Sequence, residues 1–393
     1  MKTAMALAWT AALLLCGALT ACSEDHVVGS LPTLGTAGAA GTLRGTGDGS
    51  VAAKTNYAVG DGPIAVALGD LNADGALDLV VTNSHVDTLS VLLGKGDGSF
   101  APAVDYASGD EPFSVVIDDL NADGTLDLVI GNGAADTISV LLGHGDGTFA
   151  AKVAYATAAG PYVVALGDLN GDHQLDIVAT TEHSNQASVL LGVGDGTFLP
   201  HVDYTTEPDP HSLALGDLDG DGVLDLVTDD IAPATVAVQL GVGDGSFGAT
   251  TTFSVGSSPQ FVTLGDLNGD GTLDVATVGA DANQVSIRLG VGDGSFGPRA
   301  DYETGAYPMA LALADLNGDG AQDLVVAATY ANAVDVLLGT GAGQFAEKVE
   351  YPTETYPEWV AIGDLNGDHA LDFAVVNFGS ASVSVLLGVG GAK

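Results

Sequence analysis

The chain has 393 residues, with 51 Asp and Glu against nine Lys and Arg, a formal net charge of −42. That balance argues against nucleic acid and against anionic membrane surfaces, since both are held by basic patches. Only 15% of residues are charged, 46% are hydrophobic and 56 are glycine, which fits tightly turned β-structure and not a disordered chain.

In chain order, residues 1–21 read as a secretory signal. Lys2 supplies a minimal basic region, an apolar run follows, and Leu19-Thr20-Ala21-Cys22 closes it. The tetrad resembles the bacterial lipoprotein signal, in which the cysteine carries lipid and becomes the first residue. The alternatives are ordinary cleavage or an uncleaved anchor of about 18 residues, short for a membrane span. The lipoprotein reading places the chain in the cell envelope, touching membrane only through the lipid on Cys22. Ser23 beside it resembles the outer-membrane sorting pattern of Gram-negative lipoproteins. Cys16 leaves with the signal, so no internal disulfide is available. Residues 22–44 are rich in Gly, Ala, Thr and Ser without alternation and read as a flexible tether.

Residues 45–393 repeat every 49 residues. Four strands fit the first full unit: a, Ile64 to Gly69; b, Leu79 to Thr82; c, Leu89 to Leu93; and d, about Val104 to Ala107. Helical periodicity is absent. Four strands in each of several such units predict a β-propeller.

Between strands a and b lies a nine-residue loop with oxygen-bearing side chains at positions 1, 3, 5 and 9. In the first copy these are Asp70, Asn72, Asp74 and Asp78, and Ala76 places a backbone carbonyl at position 7. The second copy has Asp119, Asn121, Asp123, Thr125 and Asp127. The third has Asp168, Asn170, Asp172, Gln174 and Asp176, and the fourth Asp217, Asp219, Asp221, Val223 and Asp225. The fifth has Asp266, Asn268, Asp270, Thr272 and Asp274, and the sixth Asp315, Asn317, Asp319, Ala321 and Asp323. The seventh has Asp364, Asn366, Asp368, Ala370 and Asp372. Alternate residues of a tight loop converge, and a hard dication such as calcium takes six to eight oxygens. The expected cofactor is therefore Ca²⁺, up to seven ions. Asp-Gly turns alone would account for one copy, but carboxylates gathered seven times repel one another without a cation. The spacing matches the first nine positions of an EF-hand loop, but Val81 stands where its bidentate Glu belongs, and the flanks are strands. Position 6 is Gly except at His173 and His369, where strain or weaker binding is expected.

Between strands c and d a Gly-x-Gly-Asp-Gly turn occurs eight times, from Gly45 to Gly388, with Ala342 and Gly391 replacing the Asp in two copies. No helix follows it, so it is no dinucleotide fingerprint. Eight turns against seven loops place a lone strand d, Val51 to Tyr57, at the front of the chain. The fold expected is all-β, a seven-bladed β-propeller of four-stranded blades with the N-terminal strand completing the last blade. Phe100 and its equivalents after each turn, and Tyr57 and its equivalents on strand d, are expected to pack blade on blade. Gln322 and Ala342 make the sixth unit the least regular.

The D-x-[ND]-x-D-x-x-x-D loop, the G-D-G-[ST]-F turn and the unit length resemble the FG-GAP/VCBS repeats of integrin α-subunit heads and bacterial surface proteins. The resemblance spans residues 45–393. It implies a seven-bladed propeller with calcium in the a–b loops and ligands on the opposite face.

Loops b–c and d–a emerge on that opposite face, and they vary between units. Seven prolines keep the period, from Pro63 to Pro357, but the residue after each does not: Ile64, Phe113, Tyr162, His211, Gln260, Met309 and Glu358. These begin the innermost strands and are expected to ring the mouth of a central channel as a ligand site for a protein or glycan. Glu111, Tyr307, Tyr356, Trp359, His85, His183 and Tyr330 surround them. No Gly-x-Ser-x-Gly, His-Glu-x-x-His or P-loop pattern is present, so a non-catalytic binding or adhesion module is expected. The alternatives are a polysaccharide lyase-type or other carbohydrate-active propeller enzyme, and a scaffold subunit of an envelope complex.

Overall fold

The computed structural model describes residues 45–390. Cys22, the signal and the whole tether lie outside the described residues. The rest forms seven four-stranded antiparallel sheets, each in the order a-b-c-d. Strand a of every blade packs against strand a of the next, and that of blade 7 packs against that of blade 1, so the ring closes. Blade 1 runs Pro63–Gly69, Asp78–Asn83, Thr88–Leu92 and Val104–Ala107. The other six repeat this plan, with strands a starting at Pro112, Pro161, Pro210, Pro259, Pro308 and Pro357.

Burial falls from the axis outward. Strands a and b of blade 1 are buried along their whole length, and strand c nearly so, whereas strand d keeps only Tyr106 partly covered. Sheets packed on both faces read as continuous Val, Leu, Ala and Ile runs. Each such Val or Leu contributes about 2 kcal/mol by leaving water. At the start of each strand a the ladder slips, for example between Pro112↔Asn132 and Ser114↔Gly131. The residue after each proline is left out of register, which lets it turn toward the axis.

The N-terminal strand completes blade 7 as the repeat count requires. Thr55–Ala58 pairs with Ser382–Leu386. The single strand expected over Val51 to Tyr57 is in fact two. Gly47–Val51 pairs separately with Gly388–Gly390, so the eighth turn is assembled from both ends of the chain. Two single-turn 3₁₀ helices, Thr329–Ala331 and Phe378–Ser380, occupy the b–c loops of blades 6 and 7.

The aromatics join the blades as expected. Tyr57–Phe100, Tyr106–Phe149, Tyr155–Phe198, Tyr204–Phe247, Phe253–Phe296 and Tyr302–Phe345 meet edge to face, with centroids 5.2–5.5 Å apart. Each pair bridges strand d of one blade and the c–d turn of the next. The turn also donates backwards: Gly147 N–H bonds the Leu71 carbonyl at 3.0 Å, and Gly343 N–H the Leu267 carbonyl at 2.9 Å.

Inside each blade the position-9 aspartate ties loop to turn. Asp78 Oδ2 accepts Leu71 N–H at 2.8 Å and Oδ1 accepts Gly94 N–H at 2.7 Å. The turn glycine has no room for a side chain, because a Cβ on Gly94 would collide with the Leu77 carbonyl. The same collision recurs at Gly143, Gly192, Gly241, Gly290, Gly339 and Gly388. Gly94→Ala is therefore expected to cost roughly 3 kcal/mol, the upper end for overpacking against rigid backbone. Gly75→Ala meets open space but forces a left-handed alanine at φ 85°, and should cost about 1–2 kcal/mol. Denaturant midpoints of the two variants test this order; a reversal would show that the clamp tolerates a methyl group.

Candidate metal loops and recognition face

The seven a–b loops share one hydrogen-bond scheme. In the first, Asp70 Oδ1 accepts Asp74 N–H and Oδ2 accepts Gly75 N–H. Asn72 Oδ1 accepts Asp74 N–H, and Asp74 Oδ1 accepts Ala76 N–H. The last loop repeats it through Asp364, Asn366 and Asp368. These bonds coil the loop backbone tightly about the first, third and fifth side chains, which accept them. In the fourth loop, Asp217, Asp219 and Asp225 each bring a carboxylate oxygen within 4.8 Å of the others. An all-oxygen donor set of this kind fits a hard dication.

His173 and His369 adopt the left-handed conformation that glycine has elsewhere, at φ 66° and 70°. Their Nδ1 atoms lie 3.5 and 3.7 Å from Asp168 and Asp364 Oδ2, the first carboxylates of their own loops. Position 4 is left-handed too, which sequence reading missed. Ala73 and Ala122 hold φ 56° where five loops have glycine. In blade 6, Gln322 leaves the clamp intact, with Gly339 N–H on Asp323 Oδ1 at 2.7 Å. Its turn departs instead at Ala342, which is left-handed at φ 56°.

The position-9 carboxylates carry the electrostatic load. Burial pushes Asp78, Asp127, Asp176, Asp225, Asp274 and Asp323 up to about 6 and Asp372 up to about 7. Two backbone N–H donors pull each back, and the neighbouring loop aspartates add to the rise. A carboxyl raised above its unfolded value near 3.8 binds its proton more tightly in the folded state. Its contribution to stability is complete below that value and is lost as pH rises through 6 to 7. Metal-free protein is thus expected to melt lower at pH 7.5 than at pH 5, and saturating Ca²⁺ to flatten the slope. Melting scans in chelator across that window check the sign, and a metal-free melting point that rises with pH contradicts it.

On the opposite face the b–c and d–a loops of the seven blades contain no Lys or Arg. The seven residues after the prolines are all buried, from Met309 at 0% exposed to Phe113 and Glu358 at 6%. They fill the channel mouth. Phe113 and Tyr162 lie 4.5 Å apart, and Tyr162 and His211 4.4 Å, tilted by 37° and 43°. Behind them Phe261 meets Trp359 at 6.0 Å.

Blade 4 breaks the pattern. In blades 1 and 3 the hydroxyls of Thr82 and Thr180 donate to the next blade's carbonyls, Phe113 O and His211 O. In blade 4 that position is Asp229, and the Gln260 carbonyl instead lies 3.1 Å from His211 Nδ1. Burial pushes Asp229 up to about 7 and its neighbour Asp230 to about 8, and pushes His211 down to about 4. Sequence reading passed over both aspartates. The signal was available: two adjacent carboxylates inside a strand-b run that is apolar or neutral in every other blade.

Outside the ring the exposed feature is aromatic. Tyr307 and Tyr330 stack at 4.5 Å and 19°, and Tyr356 meets Tyr330 edgewise at 6.0 Å. Tyr330 is 58% and Tyr356 47% exposed. Tyr307 and Tyr356 are left-handed at φ 59° and 56°, matching Gly62 and Gly160 in other blades. Asn283 and Asn332 side chains accept their N–H groups at 2.8 and 3.0 Å and hold that shape. Large side chains kept in a strained backbone conformation are more common at sites of recognition than elsewhere. His85 lies apart, meeting Phe378 edge to face at 5.0 Å and paired with Asp61 at 3.2 Å.

A family model described as FG-GAP-like repeat matches residues 70–130, 119–179, 168–228, 266–326 and 315–375. No curated protein matches the sequence. Among solved structures, the chain is similar to BBS1N in complex with ARL6DN, at 13% identity over 89% of this chain and 99% of that one, TM-score 0.63. It is similar to an Agrocybe aegerita lectin described as recognising non-reducing terminal N-acetylglucosamine, at 19% identity over 81% and 86%, TM-score 0.54. A functionally unknown protein from Desulfotomaculum acetoxidans matches at 12% identity over 81% and 90%, TM-score 0.56. At these identities the likeness is one of fold alone.

Proposed function

We propose, from the premise that this chain belongs to the FG-GAP-like repeat family, that it is a calcium-stabilised, non-catalytic binding module of the cell envelope. The observation that carries the reading is the division of labour between faces. Seven near-identical carboxylate loops occupy one face, and seven dissimilar loop pairs occupy the other. Identical loops serve one structural task, whereas a differing set can build a specific contact surface.

The calcium side rests on donor chemistry. The loop residues Asp70, Asn72, Asp74 and Asp78 and their equivalents offer only oxygen, and position 9 also anchors the c–d turn. A cation in the loop would draw on the position-9 carboxylates, which burial otherwise pushes toward protonation. Extracellular modules bind calcium at about 10⁻⁴–10⁻³ M, so filling suits a compartment outside the cytoplasm. At tenfold excess over its dissociation constant each site adds about 1.4 kcal/mol. Chelation should therefore lower the melting temperature substantially, Mg²⁺ should restore it poorly, and Asp70→Ala should cost less than chelation. Calorimetry with and without chelator reads this, and an unchanged melting point would remove calcium from the account.

The recognition side centres on the tyrosine rim of blades 6 and 7 and the ring beneath it. The partner is a protein or a glycan, presented to a lipid-tethered domain in the envelope, with adhesion as the role. The fold hosts a sugar-binding lectin and a protein complex elsewhere, so it suits either. A glycan array in calcium, beside capture of partners from envelope extract, separates lectin from protein binder. Tyr330→Ala combined with Tyr356→Ala is expected to weaken the captured interaction at least tenfold with melting unchanged. Wild-type binding by that double variant would discard this rim.

A further inference from the structure

We propose that Asn170, Asn268 and Asn366, at position 3 of the third, fifth and seventh carboxylate loops, are sites of spontaneous deamidation, held unreacted by the first aspartate of each loop. Asparagine precedes glycine five times in the chain. Four of these pairs fall at positions 3 and 4 of the loops: Asn170-Gly171, Asn268-Gly269, Asn317-Gly318 and Asn366-Gly367. The fifth, Asn132-Gly133, lies at the end of strand b of blade 2.

The chemistry is intramolecular, with water as the co-reactant. The glycine backbone nitrogen loses its proton and attacks the asparagine Cγ. The Cγ–Nδ2 bond breaks, ammonia leaves and a cyclic imide closes. Water then opens the imide at one carbonyl or the other, leaving aspartate or isoaspartate. Nothing is oxidised or reduced. Glycine favours the step because no Cβ crowds the attacking nitrogen.

In the folded loops that nitrogen is occupied. Gly171 N–H donates to Asp168 Oδ1 at 2.7 Å, Gly269 N–H to Asp266 Oδ1 at 2.7 Å and Gly367 N–H to Asp364 Oδ1 at 2.8 Å. The bond stabilises the protonated amide, and the nitrogen anion needed for attack would form against a carboxylate of like charge. The asparagine end is anchored as well. Asn170, Asn268 and Asn366 Oδ1 accept the N–H groups of Asp172, Asp270 and Asp368 at 2.9, 2.8 and 2.9 Å. Asn268 Nδ2 also donates to Asp270 Oδ2 at 2.9 Å.

The other loops differ in the way this chemistry requires. The first two follow asparagine with Ala73 and Ala122, whose methyl groups crowd the attack. Among the described residues, neither alanine N–H donates to the first aspartate, which bonds positions 5 and 6 alone. The fourth loop already carries the product residue, Asp219, with Gly220 N–H on Asp217 Oδ1 at 2.7 Å. Aspartate at position 3 therefore fits the loop. Isoaspartate lengthens the main chain by a carbon and throws the later ligands out of place. An opened loop frees the glycine nitrogen, so conversion records the time each loop spends open.

The test ages the full chain in saturating Ca²⁺ and maps its peptides by mass spectrometry. Asp266→Ala is expected to speed conversion of Asn268 roughly tenfold or more, while Asn170 and Asn366 of the same chain keep wild-type rates. Equal rates at Asn268 in wild type and folded variant overturn the proposal. Asn132 reports unfolding, because it is fully buried and Gly133 N–H is held by the Glu111 carbonyl. If Asn132 converts too, the variant has unfolded, and wild type in Ca²⁺ against wild type in concentrated urea decides. Urea should then speed all three sites while Asn72 and Asn121 lag, and equal rates with and without urea overturn the proposal. Chelator rests on the calcium reading, and should speed all three sites in wild type. A chelator without effect, beside a fast Asn268 in Asp266→Ala, removes calcium and leaves the modification sites standing.

Discussion

The structure depends on a buried carboxylate that holds two turns together. Position 9 of each a–b loop sits at zero or near-zero exposure and accepts one N–H from its own loop and one from the c–d turn. An anion in that setting is costly unless donors or a cation meet it. The donors come from backbone that must approach closely, and only glycine allows the approach at Gly94 and its six equivalents. Loop, turn and aspartate therefore form a unit in which each part requires the others. The turn then reaches the neighbouring blade through its third glycine and its phenylalanine, so the constraint passes around the ring.

That arrangement frees the other face. With one set of loops committed to holding the wheel, the b–c and d–a loops can differ without loosening it. They differ most in blades 4 to 7. There a buried Asp pair stands where other blades have uncharged residues, His211, Gln260 and Glu358 follow the prolines, and tyrosines take left-handed positions that are glycine at Gly62 and Gly160. Each departure costs desolvation or backbone strain. Their concentration on one side of one face distinguishes them from scattered drift.

Closure is the third element. A propeller cut anywhere leaves a sheet edge open to pairing with another chain. Here the first described strands pair with the last, twice over, through Thr55–Ala58 and Gly47–Val51. The ends of the chain thus lock the ring at the blade where a cut would otherwise lie.

The repeat was legible from the sequence because its landmarks are local. Oxygen side chains at alternate positions, glycines at fixed offsets and a constant period specify the turns they make. Counting seven loops against eight turns was enough to predict blade number and the borrowed strand. Loop position 4 escaped because alanine at Ala73 and Ala122 hides a left-handed residue. The residues after the prolines begin the innermost strands as expected, but their burial was not foreseeable. Burial there depends on how far seven side chains reach across an axis, and that follows from ring radius and neighbouring rotamers. Local spacing by itself determined the wheel and its seven oxygen-lined loops. Only the tertiary structure decided that His211, Gln260 and Glu358 lie sealed inward while Tyr330 and Tyr356 stand outside, because exposure is set by residues distant in the chain.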